Sequence, residues 1–244
     1  MKTIGIKIIL VLTFVLCCTQ LEAQWWGGKK ITGSGNNTTR IVTTNDYDTI
    51  RLQGGMDVHL EQGTEGKIRV STDDNIQEYV EVTVKGNDLV LSIKSGVNLR
   101  PRKGIHIYVP FVDLSAVSIT GSGDVNANTT LKSADFKATI TGSGNLELSV
   151  EASEIKGHIT GSGNMLLTGS TNLLKVSITG SGDFNSEGLQ AQDTDVIISG
   201  SGDAKVVALK SLKTKVSGSG DIKYTGSPAH VDSKTSGSGS VSSF

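Results

Sequence analysis

Val117-Ser118-Ile119-Thr120-Gly121-Ser122-Gly123-Asp124-Val125-Asn126-Ala127 is the stretch that decides the fold. On both sides of Gly121-Ser122-Gly123-Asp124, apolar and polar residues alternate with a period of two, as in a strand with one buried face. The glycines supply what a sharp corner needs, a positive φ or a close backbone approach without a Cβ penalty. The unit is strand, corner, strand.

The unit recurs. Gly142-Ser143-Gly144-Asn145, Gly161-Ser162-Gly163-Asn164, Gly180-Ser181-Gly182-Asp183, Gly200-Ser201-Gly202-Asp203 and Gly218-Ser219-Gly220-Asp221 follow, and Gly237-Ser238-Gly239-Ser240 closes the series. The intervals are 21, 19, 19, 20, 18 and 19 residues, so a loop between fixed elements must absorb the difference. Two residues before each first glycine stand Ile119, Ile140, Ile159, Ile178, Ile198, Val216 and Thr235. Directly after each corner come Val125, Leu146, Met165, Phe184, Ala204, Ile222 and Val241.

A meander of antiparallel hairpins has a similar period. Two features favour a solenoid: like residues recur at like positions, as when each side chain stacks on its counterpart about 4.8 Å away, and the apolar columns then form a continuous core. The expected fold is therefore all-β, a right-handed parallel β-solenoid resembling a β-helix over residues 117–244. The six intervals correspond to about 29 Å of stack. The last repeat, with Ser233, Thr235, Ser240 and Ser243, has lost its apolar positions and reads as a C-terminal cap.

Residues 41–116 read as a degenerate β-rich half. Ile50 to Leu52, Val58 to Leu60, Lys67 to Val70, Tyr79 to Val84, Leu89 to Ile93 and Ile105 to Val109 alternate, separated by glycine turns. Gly54-Gly55-Met56-Asp57 aligns with the repeated corner, placing Ile50 and Leu52 in the columns before it and Val58 and Leu60 in those after it. Residues 24–40, with Gly33-Ser34-Gly35-Asn36, form a tether or edge strand.

Residues 1–23 read as a secretory signal peptide. Lys2 and Lys7 precede an apolar run, Ile8 to Cys18, that is too short to span a membrane, and cleavage is expected between Ala23 and Gln24. The only cysteines, Cys17 and Cys18, fall inside it, so the mature chain has no disulfide. Leu16 and Cys17 precede them where a lipidated cysteine wants a small residue, which disfavours lipoprotein anchoring. The expected location is the periplasm, outer membrane or cell surface, with no transmembrane segment in the mature chain. Without the signal, 21 basic and 23 acidic side chains remain, a net charge of −2. Nucleic acid is therefore not an expected partner.

The Asp and Asn column at the corners is the one repeated feature with site chemistry. Asp124, Asp183, Asp203 and Asp221 invite comparison with a calcium ladder, but a hard cation wants six to eight oxygens and one carboxylate per coil supplies few. The expected role is to stabilise the corner, together with Gly121, Gly123, Gly142, Gly144, Gly161, Gly163, Gly180, Gly182, Gly200, Gly202, Gly218 and Gly220. His59, His106, His158 and His230 fall on different segments without metal-ligand spacing and read as scattered surface or strand positions. Arg100, Arg102 and Lys103 around Pro101 read as a solvated loop, the sharper alternative being contact with anionic glycan or lipid. No catalytic residue and no cofactor is expected.

The chain resembles the putative auto-transporter adhesin, head GIN domain family of exported bacterial proteins, common in the Bacteroidetes. Asp48 to Leu60, Leu99-Arg100-Pro101, Val117 to Asp124 and the later Gly-Ser-Gly corners carry the resemblance, over about residues 30–244. It implies an all-β, solenoid-like fold at the cell envelope and transfers no catalytic or ligand-binding residue. An autotransporter also needs a C-terminal membrane barrel, whereas residues 217–244 are polar and turn-rich. The expected function is a non-catalytic adhesion or binding module, with a glycan or an envelope protein as ligand. The alternatives are a carbohydrate-active enzyme on a β-helix and a purely structural spacer. An enzyme of that kind needs clustered carboxylates on one strand face, which the repeats do not provide.

Overall fold

A computed structural model of the chain describes residues 29–244. The expected signal peptide with its Ala23/Gln24 cleavage site, Cys17 and Cys18, and also Trp25 and Trp26, lie outside the described residues.

The described residues form 20 strands. The first nine are β1 (Lys29–Thr32), β2 (Asn37–Thr43), β3 (Thr49–Gly54), β4 (Asp57–Gln62), β5 (Lys67–Asp73), β6 (Val80–Lys85), β7 (Asp88–Ile93), β8 (Val97–Arg100) and β9 (Ile105–Phe111). The solenoid follows with β10 (Ala116–Gly121), β11 (Asp124–Gly142), β12 (Asn145–Gly161), β13 (Asn164–Gly180), β14 (Phe184–Asn185) and β15 (Leu189–Gly200). It ends with β16 (Ala204–Val207), β17 (Ser211–Gly218), β18 (Ile222–Thr225), β19 (His230–Gly237) and β20 (Val241–Ser243). The fold is all-β, a parallel solenoid of about seven turns preceded by mixed sheet.

Before the corner, β3, β10, β11, β12, β13, β15, β17 and β19 stack in parallel register, so that Gly54, Gly121, Gly142, Gly161, Gly180, Gly200, Gly218 and Gly237 pair in sequence. After it, β4, β11, β12, β13, β14, β16, β18 and β20 stack likewise. The register of the degenerate coil follows the sequence alignment: Ile50 pairs with Val117, Leu52 with Ile119 and Val58 with Val125. Interval differences are taken up away from the corners. β11 shifts register against β12 between Asn126 and Thr130, and residues 186–188 loop out between β14 and β15.

Two glycines per corner have separate causes. The first has positive φ, +127° at Gly142, and a Cβ there would overlap the carbonyl oxygen of Gly121. The second, such as Gly144, has no room for a Cβ because the carbonyl oxygen of Gly123 occupies the space. Met56 replaces the second glycine in the first coil for a physical reason. Its coil rests on β7 and β9, which are joined by residues 94–104 and not by a corner, and the Met56 side chain is buried there.

Inside the stack, Leu52, Ile119, Ile140, Ile159, Ile178, Ile198 and Val216 form one buried column, each contributing about 1.5–3 kcal/mol by burial. Another runs Phe136, Ile155, Leu174, Thr194, Leu212 and Val231 in direct register, and only its last member is open to solvent. The outermost strand, β19, is exposed along its whole length. At the other end the packing changes. β5 runs antiparallel to both β2 and β9, β6 runs antiparallel to β7, and β1 pairs with β8 in a separate two-stranded sheet. Among the described residues no helix is long and apolar enough to cross a membrane.

Candidate functional site

Because the side-chain period of a strand is two, the residues between the buried columns face outward, and parallel register lines them up across coils. On the side after the corners, one row crosses ten strands: Arg69, Tyr108, His59, Asn126, Glu147, Leu166, Asn185, Lys205, Lys223 and Ser242. On the side before them, Gln53, Thr120, Thr141, Thr160, Thr179, Ser199, Ser217 and Ser236 pair in the same way.

The Asp and Asn column runs along the ridge between these faces. Asp124 Oδ1 accepts the backbone N–H of Asn145 at 2.9 Å, Asp183 Oδ1 that of Asp203 at 3.0 Å, and Asp203 Oδ1 that of Asp221 at 2.8 Å. Asp221 Oδ1 accepts from both the hydroxyl and the N–H of Ser240, which holds its carboxyl below the usual carboxylate range. One oxygen of each of these carboxylates is thus committed to the next coil. Among the described residues no group of three or more His, Cys, Asp or Glu side chains is placed to hold a metal ion.

The histidines correct the sequence reading. Two of the four are not scattered. β4 lies between β9 and β11, and their registers bring His59 and His106, 47 residues apart in the chain, into contact. Their ring planes are 21° apart with centroids 5.6 Å apart, and His59 Nε2 lies 3.4 Å from His106 Nδ1, so the two rings meet edge to edge through these nitrogens. His59 stacks on Tyr108 at 4.9 Å, and the guanidinium of Arg69 covers the Tyr108 ring at 4.7 Å. Arg69 is paired through one nitrogen with both oxygens of Glu61, at 2.9 and 2.8 Å. His59 Nδ1 meets Asn126 Oδ1 at 3.1 Å, and Asp57 Oδ2 lies 3.5 Å from His106 Nδ1. His158 stands alone on the opposite face, where burial, then Lys137 and Lys156, keep it below the usual histidine range. His230 lies in exposed β19. Sequence spacing conceals the first pair because the chain passes through β5 to β8 between its two members.

The basic run is anchored. Arg100 ends β8, and the backbone N–H groups of Arg102 and Lys103 donate to Asp73 Oδ2 at 2.8 and 3.2 Å. Asp73 is fully buried, and its other oxygen accepts the N–H of Gly35 at 2.6 Å. Burial acts to raise its pKa, but the N–H donors from Lys103, Gly35 and Arg102 prevail and hold it below the ordinary carboxylate range. Asp74 and Asn75 bind Ser34 and Asn36 beside it, so the early Gly33-Ser34-Gly35-Asn36 copy is fixed by side chains instead of by a coil beneath it.

A parallel solenoid turned on Gly-Ser-Gly corners, with mostly polar rows on both sides of the ridge, defines an all-β repeat protein. Residues 46–228 match the model of the family described as putative auto-transporter adhesin, head GIN domain, and the chain belongs to that family. That description is of an exported protein. No curated protein matches the chain. Among solved structures it is similar to a putative adhesin from Bacteroides fragilis, with 25% identity and a TM-score of 0.82 over 88% of this chain and all of that one. It is also similar to a putative lipid binding protein from Parabacteroides distasonis, with 27% identity and a TM-score of 0.77 over the same shares. A putative adhesin from Parabacteroides merdae has 25% identity and a TM-score of 0.76, with 88% of this chain and 99% of that one covered.

Proposed function

We propose that the protein is a non-catalytic adhesion module of the bacterial cell surface that binds an extended glycan along its outer sheet face. The observation that supports this reading is the row from Arg69 to Ser242. Nine inter-strand steps at about 4.8 Å make it about 43 Å long, the reach of a polymer segment and not of a small metabolite. Planar and charged side chains at regular spacing offer hydrogen bonds to successive sugar hydroxyls, and rigid strands hold their backbones in place, so only the side chains are ordered at binding.

The test is a glycan array probed with the wild-type chain and with a Glu147→Ala, Lys205→Ala, Lys223→Ala triple variant. These three side chains are exposed members of the row, so the solenoid remains folded without them. Binding of polysaccharides that the triple variant loses supports the reading. Equal binding by both, or turnover of a bound polysaccharide, sinks it. Cell fractionation with surface proteolysis tests the location.

A further inference from the structure

We propose that His59 and His106 form a binding site for a borderline divalent transition-metal ion, of the class of Zn²⁺, Ni²⁺ or Cu²⁺. Imidazole nitrogens suit these ions and bind them at about 2.0–2.1 Å. Two such ligands subtending a tetrahedral angle stand about 3.3–3.4 Å apart. The separation between His59 Nε2 and His106 Nδ1 is 3.4 Å, so an ion fits between them once the two rings tilt from their head-on hydrogen-bonding approach.

The surroundings prepare the pair. The carbonyl oxygen Oδ1 of Asn126 can only accept, so His59 carries its proton on Nδ1 and turns the lone pair of Nε2 toward His106. This is the arrangement by which a second-shell carbonyl orients a metal-ligating histidine. Tyr108 stacks on His59 and restricts its ring, and Gly104 leaves room for His106, since a Cβ there would stand 2.8 Å from its Nε2. The Asp57 carboxylate adds negative charge 3.5 Å from His106 Nδ1. The nearest cation on the row, Arg69, is offset by Glu61.

Without metal, His106 Nδ1–H donates to His59 Nε2. Binding replaces that hydrogen bond with two metal–nitrogen bonds, and the His106 proton moves from Nδ1 to Nε2 through solvent, which reaches the side chain (37% exposed). The protein thus supplies two ligands, and the remaining coordination positions face water. Such a site is open and exchangeable, unlike a closed four-ligand structural one. It stands independently of the glycan reading.

The full chain, with Cys17 and Cys18 alkylated, is titrated calorimetrically with Ni²⁺ and Zn²⁺, and its Cu²⁺ complex is examined by electron paramagnetic resonance. The expected result is one equivalent bound, with hyperfine structure from two imidazole nitrogens. His59→Gln or His106→Gln should weaken binding at least about tenfold, and Asn126→Leu about tenfold through loss of orientation. His230→Gln should change nothing. Absence of binding by the wild type, or binding kept within about twofold by both single histidine variants, overturns the proposal. The resonance spectrum of the wild type decides the matter even if a variant fails to fold: a spectrum without two imidazole nitrogens rejects the site.

Discussion

The backbone N–H of Asn145 donates to Asp124 Oδ1 one coil away, at 2.9 Å, and the same bond recurs at Asp183, Asp203, Asp221 and Ser240. At Asn164 the side-chain Nδ2 donates to Asn145 Oδ1 instead, and the backbone N–H goes to the Gly144 carbonyl. The fourth corner residue is therefore an acceptor aimed along the stack, not a brace for its own turn. Asp and Asn both offer that oxygen, which accounts for their exchange from coil to coil. Ser240 takes the place in the outermost coil of the described residues.

Asp203 tests this directly, because it stands between Asp183 and Asp221 in successive coils. Asp203→Asn keeps the acceptor and removes a charge from a line of like charges. It should melt at or above the wild-type temperature, with the gain shrinking as salt screens the repulsion. Asp203→Ala should melt lower at every salt concentration. If the Asn and Ala variants melt together below the wild type, the acceptor role is wrong. Thermal unfolding followed by circular dichroism gives the answer.

Asp73 governs an acid-sensitive part of the stability. Its folded pKa lies below the ordinary carboxylate value, so its contribution is fully present above about pH 4 and is lost as pH falls through the folded pKa. Asp73→Asn loses the charge-assisted bonds to Gly35, Arg102 and Lys103 and should cost about 2 kcal/mol at neutral pH. The gap from wild type should narrow below about pH 4. Urea unfolding of both proteins across that range measures it, and a gap that stays constant would show that the charge of Asp73 does not matter.

The corner glycines predict a sharp contrast with an ordinary turn glycine. Gly86 has φ +62° and nothing within 4 Å of a would-be Cβ, so Gly86→Ala should cost about 1–2 kcal/mol. Gly142 combines φ +127° with a Cβ position that overlaps Gly121 O, and relief would require the coils to part. Gly142→Ala should cost at least about 3 kcal/mol or prevent folding. Similar urea midpoints for the two variants would contradict the close-approach account.

Much of this architecture was legible because the repeat writes the same instruction many times. The glycine corners and the Ile and Val columns give both register and burial, and even the degenerate Ile50, Leu52 and Val58 coil aligns. The column through Phe136, Ile155 and Leu174 was equally available, since each member lies six residues before its corner glycine. Pairing in the first half was not legible. β5, β6 and β7 alternate like any other strands, and whether they run parallel or antiparallel depends on where their connections lead. The His59–His106 pair was hidden for the same reason, since it exists only once β9 is placed beside β4. The direction of the corner acceptors was hidden too, because a local turn bond and a bond to the next coil ask for the same side chain.

Column packing gives a final prediction. Gly157 stands where neighbouring coils carry Ala138 and Val176, and its backbone needs no glycine conformation. Space is the reason for it: a Cβ would lie 3.1 Å from Phe184 Cε2 and 3.3 Å from Met165 Sδ. The large Phe184 ring and the missing side chain at 157 are two halves of one fit. Gly157→Ala should therefore cost about 1–3 kcal/mol by overpacking, and Phe184→Leu alone should cost about as much by leaving a void. Combined, they should cost less than the sum by about 1 kcal/mol, because the smaller side chain admits the new methyl. A double-mutant cycle from urea unfolding measures that coupling. Strict additivity would mean that the ring yields freely, and that Gly157 needs another explanation.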